Sequence, residues 1–151
     1  MKQSAGVLLY RRKDRTLEVF LVHPGGPFWA RKDQGSWSIP KGEYGPEEDP
    51  LDAARREFEE ETGSRAEGDF RELPEIRQKG GKLVRAWALE GDLDPDGIRS
   101  NTFRMEWPPH SGAFKDFPEV DRAAWFPLET ARLKMLKSQV PLLDHLEILL
   151  G

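Results

Sequence analysis

The chain has 151 residues, 37% of them hydrophobic and 33% charged, with a formal net charge of −4. That length suits one domain, read here as 1–151, with enough apolar residues to bury a core and too many for a disordered chain. The negative balance argues against a broad basic surface for a nucleic-acid polymer, and the absence of cysteine excludes disulfides and thiolate zinc sites.

The amino-terminal stretch MKQSAGVLLYRRKDR has no long apolar run followed by a cleavage pattern, so no signal peptide is expected. No apolar run is long enough to cross a bilayer. The expectation is a cytoplasmic protein without a membrane partner, in keeping with the lack of cysteine.

In chain order, β-prone runs at 4–10 and 17–23 flank a charged turn and predict a hairpin. Residues 36–39 form another short candidate strand, followed by a turn at Lys41 and Gly42. A helix is predicted over 50–62. PEIRQ and LVRAWALE then lie either side of Lys79-Gly80-Gly81-Lys82, where glycine permits the positive φ of a tight turn. Residues 101–107 and 122–126 are further strand candidates, joined by EWPPHSGAFKDFPEV, read as an ordered loop. From 128 onward apolar residues recur at helical spacing, with a break before Pro141. Strands, a central helix, more strands and a closing helix predict an α+β or α/β sandwich with a mixed sheet.

The central helix is the most informative segment. Asp49 suits the N-cap, Pro50 the first helical position and Gly63 the position after the last turn. Leu51, Ala54, Phe58 and Thr62 fall on one face, which is expected to pack on the core. Glu57, Glu60 and Glu61 fall on a second face, while Glu59 points away. Like charges at these spacings cost about 0.2–0.5 kcal/mol per pair, and Arg56, one turn before Glu60, offers the local relief. A solvated acidic face is the ordinary reading of a charge run, but such faces usually mix their signs. A hard divalent cation removes the repulsion, because Mg²⁺ takes oxygen ligands and binds through a few carboxylates plus substrate phosphates. At the preceding turn, a backbone carbonyl can reach the metal and Lys41 can meet phosphate as a point charge. Taken alone, Lys41 reads as a surface lysine.

These residues resemble the Nudix box, G-x5-E-x7-R-E-U-x-E-E-x-G-U with U a bulky aliphatic residue. Gly42, Glu48, Arg56, Glu57, Phe58, Glu60, Glu61 and Gly63 match in register. Phe58 is aromatic where the pattern prefers an aliphatic side chain, and Ser64 departs from the final bulky position. The resemblance implies an α/β/α sandwich that hydrolyses a nucleoside diphosphate linked to another group, with Mg²⁺ or Mn²⁺. It implies Glu57, Glu60 and Glu61 as metal ligands, with Gly42 adding its carbonyl. Arg56 would orient Glu57 or a neighbour, and Glu48 would stand behind the ligands or join them.

Hydrolysis of a pyrophosphate needs an activated water and neutralised phosphate oxygens, which a metal and a carboxylate base supply without a covalent intermediate. The resemblance leaves two candidates for the base, Glu57 and Glu119, the latter six residues before Trp125. Taken alone, Glu119 reads equally well as a strand-edge surface charge.

The WSIPKGE segment resembles the entrance of dinucleoside polyphosphate and diphosphoinositol polyphosphate hydrolases. Before it, Phe28 and Trp29 stand beside Arg31 and Lys32, either as a core pair and a solvated pair or as a site for a base and extra phosphates. Trp107, Phe114 and Lys115 either line a nucleotide pocket or hold their loop down. Three readings follow: a hydrolase of dinucleoside polyphosphates, a hydrolase of (d)NTP, ADP-ribose or another nucleotide derivative, and a nucleotide-binding module without turnover. The retained carboxylates favour an enzyme with a small-molecule nucleotide as its partner. No segment marks an oligomer interface.

Overall fold

The computed structural model of the protein describes residues 2–78 and 80–151. Strand β1 (Gln3–Lys13) and β2 (Thr16–Pro24) form the predicted hairpin. Lys13 pairs with Thr16, so Asp14 and Arg15 alone make the turn, with φ of 52° and 69°. Two positive φ values in succession are what a two-residue hairpin needs to match the strand twist.

On its other edge β1 runs parallel to β6 (Leu83–Glu90), and β6 carries the short strands β4 (Arg71–Glu72) and β5 (Ile76–Arg77). Strand β9 (Val120–Pro127) closes the far side against β2. The β5–β6 connection matches the expected glycine turn, with positive φ at Gly80 and Gly81, while Lys79 lies outside the described residues.

Two expectations need correction. Residues 36–39 form no strand of their own: Trp37 bridges Met135 and Ser38 bridges Val22. The strand comes next, β3 (Lys41–Tyr44), paired antiparallel with the start of β1, so Lys41 and Gly42 lie on a strand rather than at a turn. Pro40 has no N–H to donate, and the ladder begins immediately after it. Its carbonyl accepts from Val7 N–H, and a Cβ on Gly6 would lie 2.6 Å from that oxygen, so the close crossing needs glycine there. The second correction concerns the supposed loop. β7 (Thr102–Glu106) pairs with β8 (Phe114–Pro118) as a separate two-stranded sheet, leaving only 107–113 as the connection. Aromatic Phe103 opposite Phe117 supplies the cross-strand pair that the Pro and Gly content obscured.

Helix α1 (Pro50–Thr62) has the predicted bounds. The Asp49 carboxylate accepts from Asp52 N–H, and Gly63 sits in the left-handed region at φ 80°. The carboxy-terminal segment breaks as expected into α2 (Leu128–Lys134), a 3₁₀ turn (Lys137–Gln139) and α3 (Pro141–Leu150).

Alternation along β1 sends Ala5, Val7 and Leu9 toward Ala53, Ala54 and Phe58 of α1. Leu8 and Tyr10 join Met135, Leu142, Leu143 and Leu146 on the other side. A sheet apolar on both faces between helical layers is an α/β/α sandwich, an α+β fold. Among the described residues no helix is long and apolar enough to cross a membrane.

Candidate active site

The edge of β1 is shared by two strands. Its first residues pair with β3 and its last with β2, so β2 and β3 diverge and leave a fork. A cleft of about 220 Å³ opens there, lined by Trp29, Ser38, Lys41, Glu61, Glu119 and Leu136, among others. A larger depression around Arg11 and Asp92–Asp96 contains none of the box residues.

Beside the cleft, Arg56 acts as a hub. It donates to both carboxylate oxygens of Glu48 at 2.8 and 2.9 Å, to Glu57 at 2.8 Å and to Glu60 at 3.2 Å. The bidentate geometry holds Glu48 below the ordinary carboxylate range and keeps the guanidinium firmly protonated. Glu57 is buried, and burial first, then Glu60, raises its proton affinity despite the contact with Arg56. The relief predicted for Arg56 is therefore wider than one i,i+4 pair.

Gly42 faces Glu57 directly across the helix–sheet contact. A Cβ there would lie 2.0 Å from Glu57 Oε2, so the carboxylate occupies the space that any side chain would fill.

Glu61 reaches the cleft itself. Burial, then the charge of Glu57, pushes it up to about 8, while the Lys41 N–H that donates to its Oε1 at 3.3 Å pulls the other way. The Lys41 ammonium is pushed down by burial and by Lys82. Glu119 is also raised, by burial and then by Glu60. Among the described residues its carboxylate has no hydrogen-bond or ion-pair partner. Its backbone is fixed: Asn101 N–H donates to the Glu60 carbonyl, Glu119 N–H to the Asn101 carbonyl and Gly25 N–H to the Glu119 carbonyl, at 2.8, 2.8 and 2.9 Å. This chain ties the end of the box helix to the segment carrying Glu119.

The structure thus brings Lys41, Glu61, Glu119 and Trp29 to one cleft, with Glu57, Glu60, Arg56 and Glu48 beside it. It does not bring Trp107 there: its ring meets Phe28 edge-on at 5.4 Å, on the β7–β8 arm. Phe114 is exposed, with the Arg104 guanidinium 5.3 Å from its ring centre.

Among the described residues no three Asp, Glu or His side chains already converge as a metal cage. Arg56 holds Glu57 and Glu60, and Glu61 accepts from Lys41. The donor set nevertheless fits a hard divalent cation: every side-chain donor is an oxygen, and the missing side chain of Gly42 leaves room for the Glu57 carboxylate.

Sequence reasoning missed Gln139, which is fully buried. Its Oε1 accepts from Ile39 N–H at 3.1 Å and its Nε2 donates to Ser38 at 3.0 Å, fixing the backbone just before Lys41. At the end of the polar run Lys137-Ser138-Gln139, a glutamine carries no signal of a partner a hundred residues away. His23, at the end of an apolar strand, was missed because its partners also lie elsewhere in the chain.

A NUDIX domain model matches residues 1–146. The chain belongs to the NUDIX domain family. As a Nudix pyrophosphohydrolase it carries the box on α1 and on the strand before it, and Nudix proteins generally use divalent cations. Solved structures agree with the fold. A C. elegans Ap4A hydrolase, in a binary complex, is 25% identical over 99% of this chain and 98% of that one, with a TM-score of 0.69. The NUDIX domain of Shewanella oneidensis NrtR, complexed with ADP ribose, is 16% identical over 99% and 88%, also at 0.69. A mutT/nudix family protein from Listeria innocua is 18% identical over 99% and 98%, at 0.63. No curated protein matches the sequence of this Nudix hydrolase.

Proposed function

We propose that this Nudix hydrolase cleaves a pyrophosphate bond of a dinucleoside polyphosphate in the cytoplasm, with Mg²⁺ or Mn²⁺, as one domain spanning 1–151. The observation that carries the reading is the cleft at the β2–β3 fork, where a half-buried lysine, two carboxylates of raised proton affinity and an indole meet. The dinucleoside preference is supported by the WSIPKG segment that forms one wall and by the full-length likeness to an Ap4A hydrolase.

In this reading Glu57, Glu60 and Glu61, with the Gly42 carbonyl, hold the cation. When bound, it supplies Lewis-acid charge that neutralises the phosphate oxygens. Arg56 aligns Glu57 and Glu60, and Glu48 in turn aligns Arg56. Lys41 faces the substrate phosphates as a fixed positive charge. Trp29 stacks on a base.

Between the two candidates for the base, Glu119 is the better one. Glu57 is engaged by Arg56 and pressed against Gly42, whereas Glu119 has a free carboxylate in the cleft. Burial raises its proton affinity, which favours it as a proton acceptor. The water oxygen bonds to phosphorus, its proton passes to Glu119, and the anhydride P–O bond breaks with the leaving phosphate departing as an anion.

The test is chromatographic product analysis with Mg²⁺ and then Mn²⁺ over diadenosine tetraphosphate, diadenosine hexaphosphate, ADP-ribose, several NTPs and a diphosphoinositol polyphosphate. The expected result is fastest cleavage of a diadenosine compound. Preference for ADP-ribose, an NTP or the inositol compound would retain the hydrolase and overturn the substrate. Silence across the panel would favour a nucleotide-binding role.

A further inference from the structure

His23 lies near the end of β2 with its ring fully buried, and the chemistry above makes no use of it. Both ring nitrogens have partners: Nε2 lies 2.6 Å from the Lys32 carbonyl oxygen and Nδ1 lies 2.8 Å from Oδ1 of Asp121. A carbonyl oxygen can only accept, so the hydrogen on Nε2 is assigned from its partner. Nδ1 faces the Asp121 carboxylate, so one proton between them completes the second bond. Trp37 braces the ring edge-on at 5.2 Å, and its own Nε1 donates to Asp33 at 2.8 Å. In so enclosed a place a ring nitrogen that loses its partner finds no water to replace it.

The two partners lie on segments that also carry residues of the cleft, Trp29 on one and Glu119 and Val120 on the other. Lys32 ends the turn that Trp29 begins, with Lys32 N–H donating to the Trp29 carbonyl and its ammonium 4.9 Å from the indole centre. Asp121 lies on β9, two residues after Glu119. One imidazole therefore joins the segment carrying Trp29 to the strand that follows Glu119.

We propose that His23 is a positioning residue for the hydrolysis, a buried clasp that locks the 25–35 segment to β9 and presets Trp29 in the cleft. The proposal rests on the reading of Trp29 as a substrate contact. Glu119 does not depend on the clasp, because its N–H and carbonyl are bonded to Asn101 and Gly25, and the following N–H donates to Ser100. Loss of the clasp therefore weakens substrate capture and leaves the chemical step in place.

The variant His23→Phe keeps the ring shape and removes both hydrogen bonds. With the preferred compound of the panel above, KM is expected to rise about tenfold or more while kcat stays within about twofold. Asp121→Asn is the conservative counterpart: its amide donates to Nδ1, a neutral ring keeps Nε2–H on the Lys32 carbonyl, and KM stays within about twofold. The native protein gives a measurement that needs no variant to fold, since proton NMR is expected to find the His23 Nε2–H protected from exchange with solvent, and still protected in Asp121→Asn. An Nε2–H that exchanges as fast as that of an exposed imidazole overturns the proposal, as does a tenfold KM increase in Asp121→Asn. Trp29→Ala separates the two readings. If it raises KM and folded His23→Phe does not, the clasp alone is wrong; if neither does, the Trp29 contact is wrong and the clasp falls with it.

Discussion

Gly42 and Glu57 share one space: a Cβ on the glycine would lie 2.0 Å from Oε2 of the glutamate. The glycine of the box is thus a steric necessity of the helix–strand contact as well as a source of a carbonyl. Gly42→Ala is expected to drive the Glu57 carboxylate off Arg56, with an overpacking cost of about 1–3 kcal/mol. A melting curve and kcat of the same preparation check this. A variant as stable and as active as the parent would show that the contact yields without cost.

Glu119→Gln removes the proposed base while leaving the box intact. Its kcat is expected to fall by about 10²–10⁴-fold. The rise in melting temperature on adding Mg²⁺ is expected to persist, since Glu119 stands outside the proposed ligand set. Loss of that rise would make Glu119 a metal ligand instead. A matching loss of kcat in Glu57→Gln without loss of metal response would transfer the base role to Glu57.

The pH dependence of the metal-free protein follows from Glu61. Its folded value is about 8 against an ordinary 4.5, so the folded state binds the proton more tightly. The contribution to stability is therefore fully present below the ordinary value and is lost as pH rises through about 8. In the presence of chelator, the melting temperature of the parent relative to Glu61→Gln is expected to decline over that interval. Added Mg²⁺ competes with the proton, so its stabilising shift is expected to be larger near pH 9 than near pH 6. Equal shifts at both would remove Glu61 from the ligands.

Gln139→Leu tests the support behind Lys41. The change leaves Ile39 N–H without its partner and the Ser38 hydroxyl with only the Ile39 carbonyl. A loss of about 1–3 kcal/mol is expected, as for a buried polar group left unsatisfied. Because Ser38 and Lys41 line the cleft, kcat/KM is expected to fall with it. A denaturant titration paired with kinetics on the remaining folded protein checks both parts.

The sequence made α1 readable to the residue because three local signals agree on its ends: the Asp49 cap, Pro50 and Gly63. The carboxylate face was readable from spacing alone. Strand β3 was not, since its pairing depends on Gly6, thirty-five residues earlier, accepting the close approach of Pro40. Strand β8 was masked by the prolines and glycine of its connection, and only its pairing with β7 reveals it. Trp107 looked like a pocket aromatic because composition says nothing of direction; Phe28 and the β7–β8 arm decide where it lies. The buried polar residues His23 and Gln139 gain meaning only from partners distant in the chain.

The most direct test of the account is hydrolysis of diadenosine tetraphosphate by the parent and by Glu61→Gln, each with Mg²⁺ and with chelator. The account predicts turnover by the parent that needs the cation, and a fall of about a hundredfold or more in the variant at unchanged fold. Equal turnover by the two proteins, or turnover by the parent that persists in chelator, would contradict it.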